Sequence, residues 1–115
     1  MKEINDKDVK EVLKTDKLVI IDLFATWCGP CKALAPKLEE LSKENNNTTE
    51  IVKMDIDQNP EILNSHSVRG VPTLLFYKNG SLVHQISGNQ AKETLQELIA
   101  KHSDSKNSVD FGTDF

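Results

Sequence analysis

Apolar residues along this chain alternate between helical and strand-like periods. Val9, Val12 and Leu13 share one helical face behind Asp6, so Lys7 to Lys14 is predicted as a short amphipathic helix with an aspartate cap. Leu18 to Phe24, LVIIDLF, is a nearly continuous apolar run rich in Val and Ile, the signature of a central strand covered on both faces. Leu34, Leu38 and Leu41 recur at helical spacing among lysines and glutamates. They predict a second helix that runs to about Glu44, with Pro36 inside it as a point for a kink. Asn45 to Glu50 reads as a polar loop, Ile51 to Ile56 as another strand with Asp57 at its end, and Asn59-Pro60 as the opening of a turn or short helix.

Thr73 to Lys78, Asn79-Gly80 and Ser81 to Ser87 carry the strongest hairpin signal, because Asn-Gly suits the tight turn between twisted strands. Ala91, Leu95, Leu98 and Ile99 place a last helix from about Asn89 to Lys101. This order of elements predicts an α/β fold, a mixed sheet with helices on both faces. Residues 103–115 have no apolar period and are crowded with Ser, Asp and Asn. They read as a polar, disordered tail in which only Phe111 and Phe115 offer anything to dock. Residues 1–102 are left as a single domain, the number that 115 residues accommodate.

Charge narrows the partners. Fourteen Lys plus Arg against eighteen Asp plus Glu give a net charge of -4 with no basic cluster, which argues against nucleic acid. The start, MKEINDKDVKEVL, lacks the apolar segment of a signal peptide, and Leu18 to Ile21 is far too short to span a bilayer. A soluble cytoplasmic protein without membrane contact is the expectation.

Both cysteines lie in WCGPC, residues 27–31, at the junction of the first strand and second helix. Three residues apart on a helix, their side chains share one face within disulfide range. A thiol at a helix N-terminus meets the positive end of the dipole and unpaired N–H groups, which favours Cys28 as nucleophile. Cys31, one turn inside, is expected to be more buried and to act as the resolving thiol. Pro30 is tolerated in the first turn because its missing N–H would be unpaired there, and Gly29 keeps the approach open. A zinc site within one chain lacks ligands, since His66, His84 and His102 are widely separated and read as surface residues. A permanent staple is disfavoured because closing so short a loop contributes little stability.

Asp22 is an acid inside the most apolar strand. It is either a carboxylate reaching solvent or a loop N–H, or a buried carboxyl of raised pKa that exchanges a proton with Cys31. Pro72, in Val71-Pro72-Thr73, either starts the hairpin strand or holds a cis bond at a functional turn, and the residue pattern by itself favours the first.

WCGPC, Asp22, Pro36, Lys53 and Val71-Pro72-Thr73, in this order and spacing, resemble the thioredoxin family over residues 1 to about 102. The resemblance implies the thioredoxin fold, a five-stranded mixed sheet flanked by four helices, with Pro72 in cis beside the disulfide. It implies a protein disulfide reductase in which Cys28 attacks, Cys31 resolves and Asp22 transfers a proton near Lys53. Trp27, Gly29, Pro30, Val71, Pro72 and Gly88 would form a shallow substrate surface. Recharging would come from thioredoxin reductase, so that NADPH is used indirectly and the chain, a monomer, binds no cofactor. The Gly-Pro dipeptide resembles the reducing members; an isomerase or oxidant, and a binding subunit with incidental redox activity, are the alternatives. Phe24 stands where many relatives carry a second Trp, and Ser87 where the residue before Gly88 is usually apolar.

Overall fold

The computed structural model describes residues 1–103. Its elements are β1 (Lys2–Glu3), a 3-10 turn (Asp6–Asp8), α1 (Val9–Val12), β2 (Leu18–Phe24), α2 (Gly29–Glu44), β3 (Thr49–Asp55), a second 3-10 turn (Ile56–Gln58), α3 (Pro60–Ser65), β4 (Thr73–Lys78), β5 (Ser81–Ser87) and α4 (Lys92–Ser103). The sheet order is β1-β3-β2-β4-β5, parallel from β1 through β3 to β2 and antiparallel from β2 through β4 to β5. This is the five-stranded mixed sheet with four helices that the resemblance implies.

β2 lies at the centre and its apolar run is buried on both faces, as its composition predicts. Leu18 and Ile20 pack with Leu74 and Phe76 beneath Leu34, Leu38 and Leu41 of α2 and Leu95 and Ile99 of α4. On the other face Val19, Ile21 and Leu23 meet Val52, Met54, Leu75 and Tyr77 under Ile4, Ile62 and the apolar side of α1. Burial of each such side chain stabilises the fold by about 1.5–3 kcal/mol, so the two faces together hold β2 rigidly. Its C-terminal end, where the WCGPC segment begins, is therefore a fixed platform.

Several boundaries differ from the sequence reading, each because a side chain found a distant partner. The first helix is shorter than Lys7 to Lys14, and Asp6 does not cap it. The Asn5 N–H bonds instead to Asp8 Oδ2 at 3.0 Å, while the Asp6 carboxylate accepts from the backbone N–H groups of Glu61 and Ile62 at the start of α3. β3 starts at Thr49 rather than Ile51, because parallel pairing with β2 extends from Leu18↔Thr49 to Phe24↔Asp55. Thr49 is buried accordingly. α4 begins at Lys92, because Lys37 Nζ ties Asn89 Oδ1 and the Gln90 carbonyl, both at 3.0 Å, into the preceding loop. β1 is absent from the sequence reading altogether; its two residues are polar and exposed, and only backbone pairing with β3 makes them a strand. α2 runs on through Pro36, and the hairpin strands match the prediction at both ends. The tail expectation, with Phe111 and Phe115, falls outside the described residues from 104 onward.

Candidate functional site

α2 begins immediately after Cys28, which is its N-cap in extended conformation, with Pro30 in the first turn. Cys28 and Cys31 are joined as a disulfide with Cα atoms 5.3 Å apart. The Cys31 N–H points at Cys28 Sγ from 3.1 Å, one of the otherwise unpaired donors at the start of the helix. This is the contact that stabilises a Cys28 thiolate once the pair is reduced. A Cβ built on Gly29 meets no atom within 4 Å among the described residues, so the approach over the disulfide is open.

The expectation that Cys31 is the more buried of the two is not met. The residues are 4% and 5% exposed, because both lie in one cluster with Ala25, packed against Phe24, Ile56 and Val71. Cys31 lines a cavity of about 330 Å³ together with Asp22, Phe24, Ala25, Ala35 and Lys53. A second groove, of about 380 Å³, runs between Trp27, Ile56, Leu63, Val68, Arg69, Gly70 and Val71, and neither cysteine lines it.

Asp22 is buried at 4% exposure, between Lys53 on β3 and Leu74 on β4 in the sheet register. Its Oδ1 has no hydrogen-bond partner among the described residues. The reading in which it reaches solvent or a loop N–H is thereby excluded for that oxygen. Burial pushes the carboxyl up from 3.8 to about 7, and the positive charge of Lys53 acts in the opposite direction. Lys53 Nζ lies over the Phe24 ring, 5.4 Å from its centroid, so this phenylalanine carries a cation–π contact at the cavity wall. In the variant Lys53→Met the opposing charge is gone, and the Asp22 carboxyl is expected to titrate about one pH unit higher, the low end of the effect of a nearby opposite charge. A carbon-13 NMR titration of the carboxyl checks this; an unchanged midpoint would mean that Lys53 is too far or too well screened to matter.

Trp27 is 67% exposed, and its indole N–H donates to Asp57 Oδ2 at 2.9 Å. Asp57 is held in turn by the 3-10 turn whose N–H bonds to Asp55 Oδ1 at 2.9 Å. Sequence reasoning noted Asp57 only as a strand end; the one available signal was the turn chemistry of Asp55 to Asn59, which says nothing of Trp27. Val71 packs on the cysteine cluster and the Val71–Pro72 peptide is cis, correcting the residue-pattern preference for a plain strand start and agreeing with the resemblance. The Pro72 carbonyl accepts from the Gly88 N–H at 2.8 Å, and Gly88 has φ of +94°, the left-handed region that favours glycine. Trp27, Cys28, Gly29, Pro30, Val71, Pro72 and Gly88, drawn from three separate segments, thus surround one end of the sheet.

The histidines are not plain surface residues. His66 bonds to the Tyr77 hydroxyl, and His84 and His102 stack at 5.6 Å against Phe76, all half-buried. Burial, aided by the charges of His84 and Lys101, holds the His102 pKa below its usual value. Among the described residues no three His, Cys, Asp or Glu side chains converge as metal ligands, and no helix is long and apolar enough to cross a membrane.

The family model for thioredoxin matches residues 1–101. The chain is 45% identical over 102 residues to a thioredoxin of Listeria monocytogenes, covering 89% of this chain and 98% of that protein. It is 46% identical over 88 residues to a thioredoxin of Bacillus subtilis, covering 76% and 85%. Among solved structures it is similar to Fasciola hepatica thioredoxin, with a TM-score of 0.82, 37% identity, and coverage of 89% of this chain and 99% of the other. Sequence, fold and the placement of the cysteine pair agree, and the chain belongs to the thioredoxin family.

Proposed function

We propose that residues 1–102 are the working unit of a cytoplasmic, monomeric protein disulfide reductase recharged by thioredoxin reductase at the expense of NADPH. Protein disulfide oxidoreduction is the activity of its family. The observation that carries the finer reading is the Cys28–Cys31 pair across the first turn of α2, with the Cys31 N–H directed at Cys28 Sγ.

In the reduced protein the Cys28 thiolate attacks one sulfur of a substrate disulfide, forming a mixed disulfide and expelling the first substrate thiolate. Asp22, as carboxylate, takes the Cys31 proton by way of the cavity they share. The Cys31 thiolate then attacks Cys28 Sγ, closing the pair and releasing the second substrate thiolate. Two electrons pass to the substrate, and its two thiolates take up two protons, the Cys31 proton that Asp22 releases again and the one that Cys28 gave to solvent on ionising. Thioredoxin reductase reverses the change with a hydride equivalent from NADPH, and this chain itself holds no cofactor.

A lowered thiol pKa supplies little of the rate. Going from about 8.5 to about 7, the value documented for thioredoxins as a class, raises the thiolate fraction at pH 7 about 15-fold. Intrinsic nucleophilicity falls by roughly fivefold over the same shift, so the net gain is about threefold. Most of the advantage has to come from holding the substrate, which gives the surface of Trp27, Gly29, Pro30, Val71, Pro72 and Gly88 its importance. Coupled reduction of insulin by NADPH, a thioredoxin reductase and this protein is expected to turn over, and to stop in Cys28→Ser. A reductase that serves another thioredoxin but consumes no NADPH with this one would overturn the proposal.

A further inference from the structure

Lys53 sits between two acids. In the sheet register it pairs with Asp22 on β2 and with Glu3 on β1, both in parallel ladders. Side chains of residues paired in this way stand on the same face of the sheet, so two carboxyl groups are within reach of its ammonium. Neither holds it: the ion pairs among the described residues are made by the Met1 amino group, Lys14 and Lys92. Lys53 Nζ lies instead over the Phe24 ring, 5.4 Å from the centroid and inside the range of about 6 Å in which a ring face attracts a cation. Phe24 is two residues beyond Asp22 on β2 and therefore on the same face. All three side chains line one cavity with Cys31.

Asp22 Oδ1 is buried without a hydrogen-bond partner among the described residues, as expected when the nearest cation is held elsewhere. The other groups around the carboxyl do not take that place. From β4 it faces the apolar Leu74, and on α2 Glu39 is paired with the Met1 amino group at 3.2 Å while Lys32 is exposed. Resting on the reading of Asp22 as the group that takes the Cys31 proton, we infer that Phe24 is a positioning residue whose ring face holds the Lys53 ammonium off the Asp22 carboxyl. An ion pair there would favour the ionised carboxylate and make it a poorer proton acceptor. With the ammonium kept on the ring, the carboxyl stays basic enough to exchange a proton with a thiol near neutral pH.

The test follows the Asp22 carboxyl of the full chain by carbon-13 NMR in the oxidised protein, where the cysteines do not titrate, together with the pH profile of disulfide reduction. Phe24→Leu and Phe24→Met both remove the ring and keep an apolar side chain, so that one serves if the other does not fold. With the ring gone Lys53 swings to Asp22, and the midpoint is expected to fall from about 7 to about 6, the low end of the effect of an adjacent opposite charge. The inflection in the rate falls with it. Phe24→Trp, the better cation binder, keeps the midpoint near that of the unsubstituted chain. Phe24→Leu is then repeated in the Lys53→Met background, where no ammonium is left to move and the midpoint should stay where Lys53→Met alone puts it. An equal fall in both backgrounds would show that the smaller side chain merely admits water, and an unchanged midpoint without the ring would show that the ring holds nothing; either overturns the inference. A midpoint that falls only with Lys53 present, while the rate profile stays in place, upholds the positioning role and overturns proton transfer by Asp22.

Discussion

Replacing Cys31 with serine is expected to turn the protein from a catalyst into a trap. Cys28, still at the N-terminus of α2, attacks as before, but the mixed disulfide has no neighbouring thiol to resolve it. In the unsubstituted chain the resolving sulfur sits one helical turn away, with Cα atoms 5.3 Å apart. Well-oriented intramolecular groups react as though present at about 10⁵ M or more, and external thiols at millimolar levels cannot replace them, so turnover falls at least about a thousandfold. Non-reducing electrophoresis with a disulfide protein should show one covalent adduct that disappears on adding reductant. Cys28→Ser should show none. Adduct formation through Cys31 instead would exchange the two roles, and trapping through neither residue would sink the two-step mechanism.

The second large effect concerns Asp22 and has opposite signs for stability and activity. Its folded carboxyl titrates at about 7 against 3.8 for the free group, and burial is the main cause. Between these values the unfolded chain releases the proton that the folded chain keeps, so stability falls as pH rises through this window and levels off above 7. Three pKa units correspond to about 4 kcal/mol withheld from the folded state at pH 8. Asp22→Asn removes that cost but leaves a buried amide to satisfy, at about 1–3 kcal/mol, so a net gain of about 2 kcal/mol is expected at pH 8. That is roughly a 10 °C rise in Tm for a domain of this size. Below pH 4, where aspartic acid is itself neutral in both states, only the cost of the buried amide remains, and the variant should be the less stable by about 2 kcal/mol. Thermal or urea unfolding of both proteins at pH 3.5 and pH 8 checks this, and an equal difference at both would show that Asp22 does not titrate near 7.

Activity moves the other way in the same variant. The amide that Asp22→Asn introduces cannot accept the Cys31 proton, so disulfide reduction is expected to slow about tenfold near pH 7, a modest share of what positioned bases supply, and to lose its inflection there. If rates stay unchanged from pH 6 to 9, Asp22 has no part in proton transfer. A stabilised protein that is slower is the signature of a group retained for its chemistry at the expense of the fold.

The strands and helices of the core were legible because their signals are local. LVIIDLF can be buried only as a central strand, Asn79-Gly80 can only turn tightly, and a leucine stripe on α2 needs nothing but its own period. The site was partly legible for the same reason: Cys28 and Cys31 are three residues apart on one element, and their reach follows from helix geometry. Asp22 stood out as a charge in an apolar run, but residues 18–24 do not contain the information that decides its state. Its burial among three strands sets it, opposed by the charge of Lys53 on the neighbouring strand.

Other features had no local signal at all. Lys2 and Glu3 become a strand only because β3 offers them backbone partners, and Asp6 caps a helix more than fifty residues away instead of its own. Asp57 meets the Trp27 indole across 30 residues, and Ser87 meets Thr73 because the hairpin register places them opposite. By itself, then, the sequence determined the elements, the disulfide pair and the family, since periodicity, turn chemistry and short spacings act within a few residues. Only the tertiary structure decided the ionisation of Asp22, the cavity that Cys31 lines and the partner of the Trp27 indole. Those depend on dielectric surroundings and on partners that chain folding brings from far along the sequence.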